Sequence, residues 1–339
     1  MTEQISNEIL LDTIAAVSTP PGQSGIALIR ISGPAADWLG DLLFEPISAR
    51  FTKFSHMKGY SCAPGYWLSQ PDNSGSRSRV DQVVVTKFVS PSSFTGEDVL
   101  EISCHGSAAV KQAILDSIFA AGIAAAGPGE FTKRAFLNGK LDLAQAEAVM
   151  DLINSEARMQ AAAAMKQLQG SISTEVTRAD QSIYRLLAQT ELILEFPEHE
   201  ETDENLLALA EQIRQVRQNL EHLIASYRQG RLLSEGMNVV IAGRPNAGKS
   251  SLLNQLAGFE RAIVTEIPGT TRDTVQETVD LEGLPIHLTD TAGIRLSNDP
   301  VEKLGVERAR RAIEAADLVI WLISPPFADI EEEISEIKR

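Results

Sequence analysis

A short segment at residues 243–250, GRPNAGKS, has the glycine and lysine spacing of a loop that binds phosphate groups. Its two glycines, Gly243 and Gly248, let the backbone wrap around a phosphate with N–H groups pointing inward, and a following helix adds its positive dipole end. We expect Lys249 to reach the β- and γ-phosphate oxygens and the Ser250 hydroxyl to ligate Mg²⁺. The predicted nucleotide contacts in this loop are Gly243, Asn246, Ala247, Gly248, Lys249, Ser250 and Ser251.

Two later segments follow the loop in the order that a nucleoside triphosphatase requires. The hydroxyl-rich segment IPGTTRD offers Thr271, with Thr270 beside it, to hold Mg²⁺ and sense the γ-phosphate. The segment HLTDTAG predicts a strand that ends in Asp290, for the outer shell of the metal, and Gly293, whose backbone N–H would reach the γ-phosphate. The three segments together predict a Mg²⁺-dependent nucleoside triphosphatase of P-loop type, with a parallel sheet covered by helices.

The residue that would orient the attacking water is less evident. Ile294 stands where Ras-like enzymes keep a glutamine, and the next candidate is Glu302. A carboxylate can orient a water, usually through a second water when it lies this far along the segment. Glu302 also lies at the start of an amphipathic helix, where a glutamate in the first turn simply favours the helix dipole. The residue alone leaves both explanations open.

The helices and strands that must position these groups can be predicted from the composition and hydrophobic pattern of the chain. The apolar run MNVVIAG predicts a buried strand before the loop, and an amphipathic helix follows from Lys249. Residues 141–230 are rich in Ala, Gln, Glu and Leu and predict helices. One helix carries an apolar stripe that the core of a bundle explains fully, made of Leu206, Leu209, Ile213, Val216, Leu220, Leu223 and Tyr227. Residues 1–139 read as mixed α/β, because Gly, Pro and Ser interrupt short apolar runs.

Composition limits the class of protein. The chain has 339 residues, of which 43% are hydrophobic, and should form two or three domains. A net charge of -16 opposes non-specific nucleic-acid binding, so any RNA contact is expected to be local or shared with a partner. Cys62 and Cys104 fit neither a disulfide framework nor zinc spacing. With no signal-peptide pattern and no apolar run long enough for a membrane span, we expect a cytoplasmic protein without membrane contact.

The ordered motifs resemble the MnmE family, also called TrmE, of tRNA-modification GTPases. The resemblance extends over essentially the whole chain and rests on STPPGQSGIALIRISG, SFTGEDVLEISCHG, GEFTKRAFLNGKLDLAQAEAVMDLI, EGMNVVIAGRPNAGKSSLLN, PGTTRD and DTAGIR. It implies a multidomain α/β plus α fold. The implied parts are an α/β domain at 1–139 that dimerises and binds 5-formyltetrahydrofolate or a related tetrahydrofolate, the first part of a helical domain at 140–234, and a P-loop G domain at 235–339.

The resemblance also implies an activity and partners. Members hydrolyse GTP to GDP and phosphate, coupled to a modification of carboxymethylaminomethyl type at C5 of the wobble uridine of tRNA. They act as homodimers with an FAD-dependent partner of the GidA/MnmG kind. K⁺ replaces an arginine finger and is held partly by the residue matching Asn246, and the glutamate matching Glu302 takes the place of the glutamine. The two G domains meet face to face during turnover.

The residues that the resemblance assigns to folate are Arg30, Glu101 and Lys140. A carboxylate can accept paired hydrogen bonds from a pterin ring, while Arg and Lys suit a glutamyl tail or a formyl oxygen. Without the resemblance, Arg30 and Lys140 would be interpreted as surface charges, and Glu101 as a strand residue on a solvated face. His105 beside Cys104 suggests a nucleophile or a metal ligand, but no second Cys or His lies at ligand spacing.

In one respect the sequence departs from the family pattern. An N-K-x-D element, whose aspartate reads guanine, does not follow the segment DLVIWLIS. We therefore expect an incomplete G domain and, since a site that hydrogen-bonds a base discriminates strongly, weakened guanine preference. The alternative function is a truncated, non-catalytic folate-binding dimer module with impaired nucleotide binding.

Overall fold

The computed structural model describes seven ranges of the chain: residues 12–47, 51–72, 74–195, 203–243, 247–256, 276–290 and 311–323. The chain divides into two compact units, Met1–Ala146 and Glu147–Arg339. In neither unit does a described helix combine the length and apolar character needed to cross a membrane.

The first unit is an α/β structure built on one mixed sheet. Its described strands are β1 (Ile14–Val17), β2 (Ser24–Ser32), β3 (Phe44–Pro46), β4 (Ser61–Leu68), β5 (Arg79–Phe88), β6 (Val99–Gly106) and β7 (Ala124–Ala125). Its described helices are α1 (Ala36–Leu43), α2 (Ala108–Ala120) and α3 (Glu130–Leu137), and α4 (Leu143–Ile153) spans the boundary between the units. The described strands lie in the order β3-β4-β5-β6-β2-β1-β7.

Alternation along the strands of this sheet decides which side chains form the core. On β2, Ile29 and Ile31 are fully buried, in one cluster with Ile102 of β6 and Ile114 of α2. Since neighbouring residues of a strand point to opposite faces, Arg30 lies on the face away from this cluster. Strands β2 and β6 thus contribute to the apolar core and also carry two of the predicted folate residues, Arg30 and Glu101.

The second unit joins long helices to a second sheet. Its described helices include α5 (Arg158–Leu168), α6 (Ser171–Glu195), α7 (Asp203–Glu235) and α8 (Lys249–Leu256), and residues 311–315 are helical as well. Its described strands are β8 (Met237–Gly243), β9 (Gln276–Leu281), β10 (Leu284–Asp290) and β11 (Leu318–Leu322), in the order β11-β8-β10-β9. The apolar stripe predicted for a helix lies on α7, where Val216 and Leu220 are half-buried and Leu206 and Ile213 are each 50% exposed.

The second sheet is only partly parallel. Strands β10 and β11 both run parallel to β8, as predicted, but β9 runs antiparallel to β10. The reason is the two-residue connection of Glu282 and Gly283, whose φ angles of 52° and 93° form a tight hairpin turn. A parallel pair would need a long crossover instead, so the prediction of a parallel sheet is wrong for β9.

The end of α7 is fastened to this sheet by polar contacts. Arg231 Nη2 donates to Asp317 Oδ1 at 2.8 Å, and the other Asp317 oxygen accepts from the backbone N–H of Asn238 at 3.0 Å. His287 on β10 lies with Nε2 2.9 Å from the carbonyl of Glu235, the last residue of α7. Asp317 precedes β11, so the helix is tied to the start of that strand as well as to β10.

Candidate functional site

The predicted phosphate loop lies between β8 and α8, as the motif requires. Gly243 ends β8 with φ at 140°, and Gly248, with φ at 92°, precedes the start of α8 at Lys249. Both glycines have left-handed φ values that residues with side chains rarely adopt. The predicted strand-loop-helix arrangement is therefore confirmed at its two described ends.

Gly243 has a second reason to be glycine, which the motif did not reveal. It is the register partner of Leu322 on β11, and a Cβ atom on Gly243 would lie 2.3 Å from the Leu322 carbonyl oxygen. Because no real Cβ approaches a backbone oxygen that closely, β11 can pair with the end of β8 only when this position lacks a side chain. The same glycine thus serves the loop and the sheet.

Lys249 is the buried cation of this loop. It is 5% exposed, and its Nζ donates to the carbonyl oxygen of Gly243 at 2.7 Å. Its ammonium group therefore reaches back from the start of α8 to the end of β8, beside the backbone that would surround a phosphate. Of the other predicted contacts, Ala247 is half-buried and Ser251 is exposed.

Two positions at this edge of the sheet fit a magnesium ion. Asp290 ends β10 and lies opposite Ile241 of the parallel strand β8, two residues before the loop begins. Ser250 lies in the first turn of α8. The Ser250 hydroxyl is a hard oxygen ligand of the kind that Mg²⁺ prefers, and the Asp290 carboxylate can accept hydrogen bonds from waters on the ion, so the donor chemistry at this edge suits Mg²⁺.

Arg30 and Glu101 form an ion pair on the face of the first sheet that is turned away from the apolar core. They are register partners on β2 and β6, and Arg30 Nε donates to Glu101 Oε1 at 2.8 Å. The guanidinium lies 5.2 Å from the ring centroid of Phe94 and 5.5 Å from that of Phe131, within the range of a cation–π contact. The side chains of Arg30 and Glu101 are only 22% and 17% exposed, so neither residue is an ordinary surface charge.

Lys140 lies against the loop that carries Phe94. Its Cγ is 3.2 Å from the point where a Cβ on Gly96 would lie, so the lysine stem packs where a side chain at Gly96 would stand. Asn138 fixes the same approach, because its side-chain amide donates to the Thr95 carbonyl at 2.8 Å. The structure thus joins Arg30 to Glu101 directly and brings Lys140 to the neighbouring loop.

His105 and Cys104 point away from each other on β6. His105 Nδ1 lies 2.7 Å from Asp81 Oδ1, and Asp81 also accepts from the His105 backbone N–H at 2.8 Å. Cys104 lies in the core facing the Ala27 carbonyl, and burial raises the pKa of its thiol to about 11. The thiol is therefore neutral at ordinary pH and turned away from the imidazole, which makes it a poor nucleophile.

Comparison with known proteins identifies the family. The family described as GTP-binding protein TrmE N-terminus matches residues 13–140, and the MnmE helical domain matches residues 143–338. A protein from Acetivibrio thermocellus, named tRNA modification GTPase MnmE, is 44% identical over 92% of this chain and 66% of its own length. Relatives of the same name from Natranaerobius thermophilus and Bacillus subtilis are 44% and 42% identical, each over 96% of this chain and over 68% and 69% of their own lengths.

The chain belongs to the MnmE family. It spans between 66% and 69% of the length of these three relatives. The resemblance stated from the motifs is therefore confirmed at the level of the family.

Several residues that the MnmE pattern assigns to nucleotide, metal or catalysis lie outside the described residues. These are Asn246, Thr270, Thr271, Gly293 and Glu302. Ser250 and Asp290 are placed by their backbone elements, while their side chains also fall outside the description. The roles of all seven stay predictions.

The two aromatic residues beside Arg30 were missed by sequence reasoning. Phe94 lies in SFTGED and Phe131 in GEFTK, two of the segments that carry the resemblance to the MnmE family. Each is a single aromatic residue next to small, polar or charged neighbours, a setting in which an apolar ring often packs on a site. That signal was available, but only the fold shows that both rings meet one arginine.

Proposed function

We propose that this chain binds GTP with Mg²⁺ at the loop of residues 243–250 and hydrolyses it to GDP and phosphate. The observation that carries the proposal is the buried Lys249 ammonium, held at the Gly243 carbonyl between a parallel strand and a helix. The names of the relatives, tRNA modification GTPase, support the same activity.

The residues of the loop divide the work of this reaction. Water attacks the γ-phosphorus, the bond to the bridging oxygen of the β-phosphate breaks, and GDP leaves with the electron pair of that bond. Lys249 exchanges the Gly243 carbonyl for β- and γ-phosphate oxygens and offsets their charge. Ser250 and Thr271 would ligate Mg²⁺, with Asp290 in its outer shell, and the ion would neutralise phosphate charge when bound.

The remaining roles follow the family pattern and are part of the proposal. Thr270 and Thr271 would contact the magnesium and γ-phosphate, with Gly293 contributing a backbone N–H. Glu302 would orient the water, and Asn246 would hold K⁺ where other GTPases use an arginine. Stimulation by K⁺ follows from this arrangement.

The proposed biological role is the modification of tRNA in the cytoplasm. Hydrolysis would be coupled to carboxymethylaminomethyl-type chemistry at C5 of the wobble uridine, carried out by a homodimer with a flavoprotein partner of the GidA/MnmG kind. The domain boundaries proposed for this machinery are 1–139, 140–234 and 235–339.

A second proposed activity is the binding of 5-formyltetrahydrofolate by the first unit. The observation that favours it is the Arg30–Glu101 pair, whose guanidinium lies within cation–π range of two aromatic rings, with Lys140 packed against the adjoining loop. Aromatic rings, a carboxylate and a guanidinium together suit a flat heterocycle that carries amide-like donors and acceptors.

The deciding experiment is the initial rate of GTP hydrolysis by the purified chain in KCl and then in NaCl at equal ionic strength. We expect a clearly higher rate in K⁺, and none in Lys249→Ala. Equal rates in both salts would contradict the proposed cation site at Asn246. No hydrolysis in either salt would contradict GTPase activity for this chain and favour the non-catalytic folate-binding module.

A further inference from the structure

A polar network that begins at Ser32, two residues along β2 from Arg30, joins this strand to the loop before β6. The hydroxyl groups of Ser32 and Thr95, both fully buried, lie 2.7 Å apart. Ser32 also donates to Glu97 Oε2 at 2.6 Å. Glu97 is therefore held from one side by the end of the same strand that carries Arg30.

On its other side, Glu97 pairs with Arg134 of α3. Arg134 Nη1 lies 3.1 Å from Glu97 Oε1 and donates at 2.6 Å to the backbone carbonyl of Asp12. Its Nη2 lies 3.3 Å from Glu130 Oε1 in the first turn of the same helix. With a side chain only 13% exposed, Arg134 ties α3 to the loop and to the chain before β1.

The two elements joined by this pair are the two that supply the rings beside Arg30. Phe94 precedes Glu97 by three residues in the loop, and Phe131 precedes Arg134 by three residues on α3, where residues three apart share a helix face. The Glu97–Arg134 pair therefore ties the loop that carries Phe94 to the helix that carries Phe131.

The position of the Arg30 guanidinium matters because only part of it is used within the protein. The hydrogen bond to Glu101 uses Nε. Among the described residues, neither Nη group of Arg30 has a hydrogen-bond acceptor, so both remain for a ligand. An arginine whose plane is fixed in advance loses less conformational entropy when it forms paired hydrogen bonds.

We propose that Glu97 and Arg134 are positioning residues for ligand binding at Arg30. In this proposal Glu97 and Arg134 hold the two segments that carry Phe94 and Phe131. The two rings then fix the orientation of the Arg30 guanidinium, with its Nη groups toward the ligand. The inference rests on the proposed folate site and extends it to two residues that lie outside the set assigned to the ligand.

The test is the affinity of the full chain for 5-formyltetrahydrofolate, measured by calorimetry. We expect Arg134→Met and Glu97→Gln to bind about tenfold more weakly, the usual effect of losing a hydrogen bond to a charged group that organises a site. Arg134→Lys, which keeps the charge, should recover part of the affinity.

Arg79 provides a matched control in the same sheet. It forms a two-bond pair with Glu45 at 2.9 and 3.0 Å and stacks 4.0 Å from the Tyr66 ring, but its side chain is 55% exposed. Arg79→Met therefore removes the same chemical groups from an arginine on β5 that touches neither Phe94 nor Phe131. We expect its affinity to stay within about twofold of the parent, as is usual for exposed pairs.

A second readout separates positioning from general destabilisation. The Nε–H resonance of Arg30 can be assigned by its loss in Arg30→Lys. Because the guanidinium lies 5.2 and 5.5 Å from two ring centroids, this resonance should carry a ring-current shift. We expect the shift to shrink in Arg134→Met and Glu97→Gln but not in Arg79→Met. If Arg134→Met does not fold, Glu97→Gln and Arg134→Lys decide the matter by the same two measurements.

The outcomes distinguish this inference from the site on which it rests. A parent chain that does not bind 5-formyltetrahydrofolate, or an Arg30→Ala variant that binds it normally, would overturn the folate site. Binding that is lost in Arg30→Ala but unchanged in folded Glu97→Gln and Arg134→Lys, with the Arg30 resonance in place, would overturn the positioning role alone.

Discussion

Lys249 is the single residue on which nucleotide binding should depend most. In Lys249→Ala, the cation that would leave the Gly243 carbonyl for the phosphates is missing, so we expect GTP affinity to fall at least tenfold, in line with the loss of a charge-assisted contact. Titration with a fluorescent GTP analogue measures this directly. Arg30→Ala serves as the reciprocal control, because it should weaken folate binding and leave nucleotide affinity unchanged. Parent-like affinity in Lys249→Ala would contradict the loop assignment.

The two cysteines should differ sharply in reactivity. Cys62 is exposed, whereas Cys104 is buried and its pKa is raised from 9.0 to about 11. We expect a thiol reagent at pH 8 to label one cysteine in the native chain and both in denaturant. Labelling of both at equal rates in the native chain would show that Cys104 is accessible.

The raised pKa of Cys104 also makes the free energy of unfolding depend on pH. The folded chain holds the thiol proton more tightly than the unfolded chain, so the stabilisation is complete below pH 9.0 and is lost as the pH rises towards 11. The free energy of unfolding of the parent, relative to Cys104→Ala, should therefore fall between these two pH values. Denaturant unfolding at both pH values measures the difference.

At the scale of elements, the junction between α7 and β8 depends on Gly236. Its φ is 79°, and a Cβ there would lie 2.6 Å from His287 Nε2 and 2.8 Å from the Pro285 carbonyl oxygen. We expect Gly236→Ala to lower the free energy of unfolding by about 1–3 kcal/mol, the usual cost of a strained backbone position. Urea unfolding monitored by circular dichroism measures it.

Gly230, which lies within α7 and precedes Gly236 by six residues, supplies the matched control. It is helical, and nothing lies within 4 Å of the point where its Cβ would be. Gly230→Ala should therefore stabilise the chain, by about 0.5–1 kcal/mol, as expected for alanine in a helix interior. If Gly236→Ala raised the free energy of unfolding as Gly230→Ala does, the junction would carry no strain.

The elements also show what sequence reasoning could and could not reach. The strand, loop and helix around Lys249 were predictable because glycine spacing and an apolar run are local signals. The antiparallel direction of β9 also follows from a local signal, the two-residue turn at Glu282 and Gly283, which the prediction of a parallel sheet overlooked. The contact of Gly243 with Leu322 and the two rings near Arg30 were not predictable, because each depends on segments that are distant in sequence and meet only in the fold.

At the scale of the whole molecule, charge sets the conditions for tRNA binding. A net charge of -16 repels a polyanion, so the chain alone should bind tRNA weakly. We expect fluorescence anisotropy with labelled tRNA to show little binding at about 150 mM KCl, where screening is strong, and tighter binding once the flavoprotein partner is added. An unrelated protein of similar net charge, added in place of this chain, controls for binding of tRNA by the flavoprotein alone. Tight binding by the chain alone would point to a local basic site on it.

Strand β11 is anchored at both ends. Before its first residue, Asp317 is fastened to Arg231 of α7, and at its last residue Leu322 abuts the glycine whose carbonyl receives Lys249. An extended strand of this length is a stiff connector of about 16 Å. In the proposed GTP complex Lys249 leaves that carbonyl for a phosphate, and the structural route from Gly243 to the 33-residue helix α7 is then this one short strand and its Asp317–Arg231 contact.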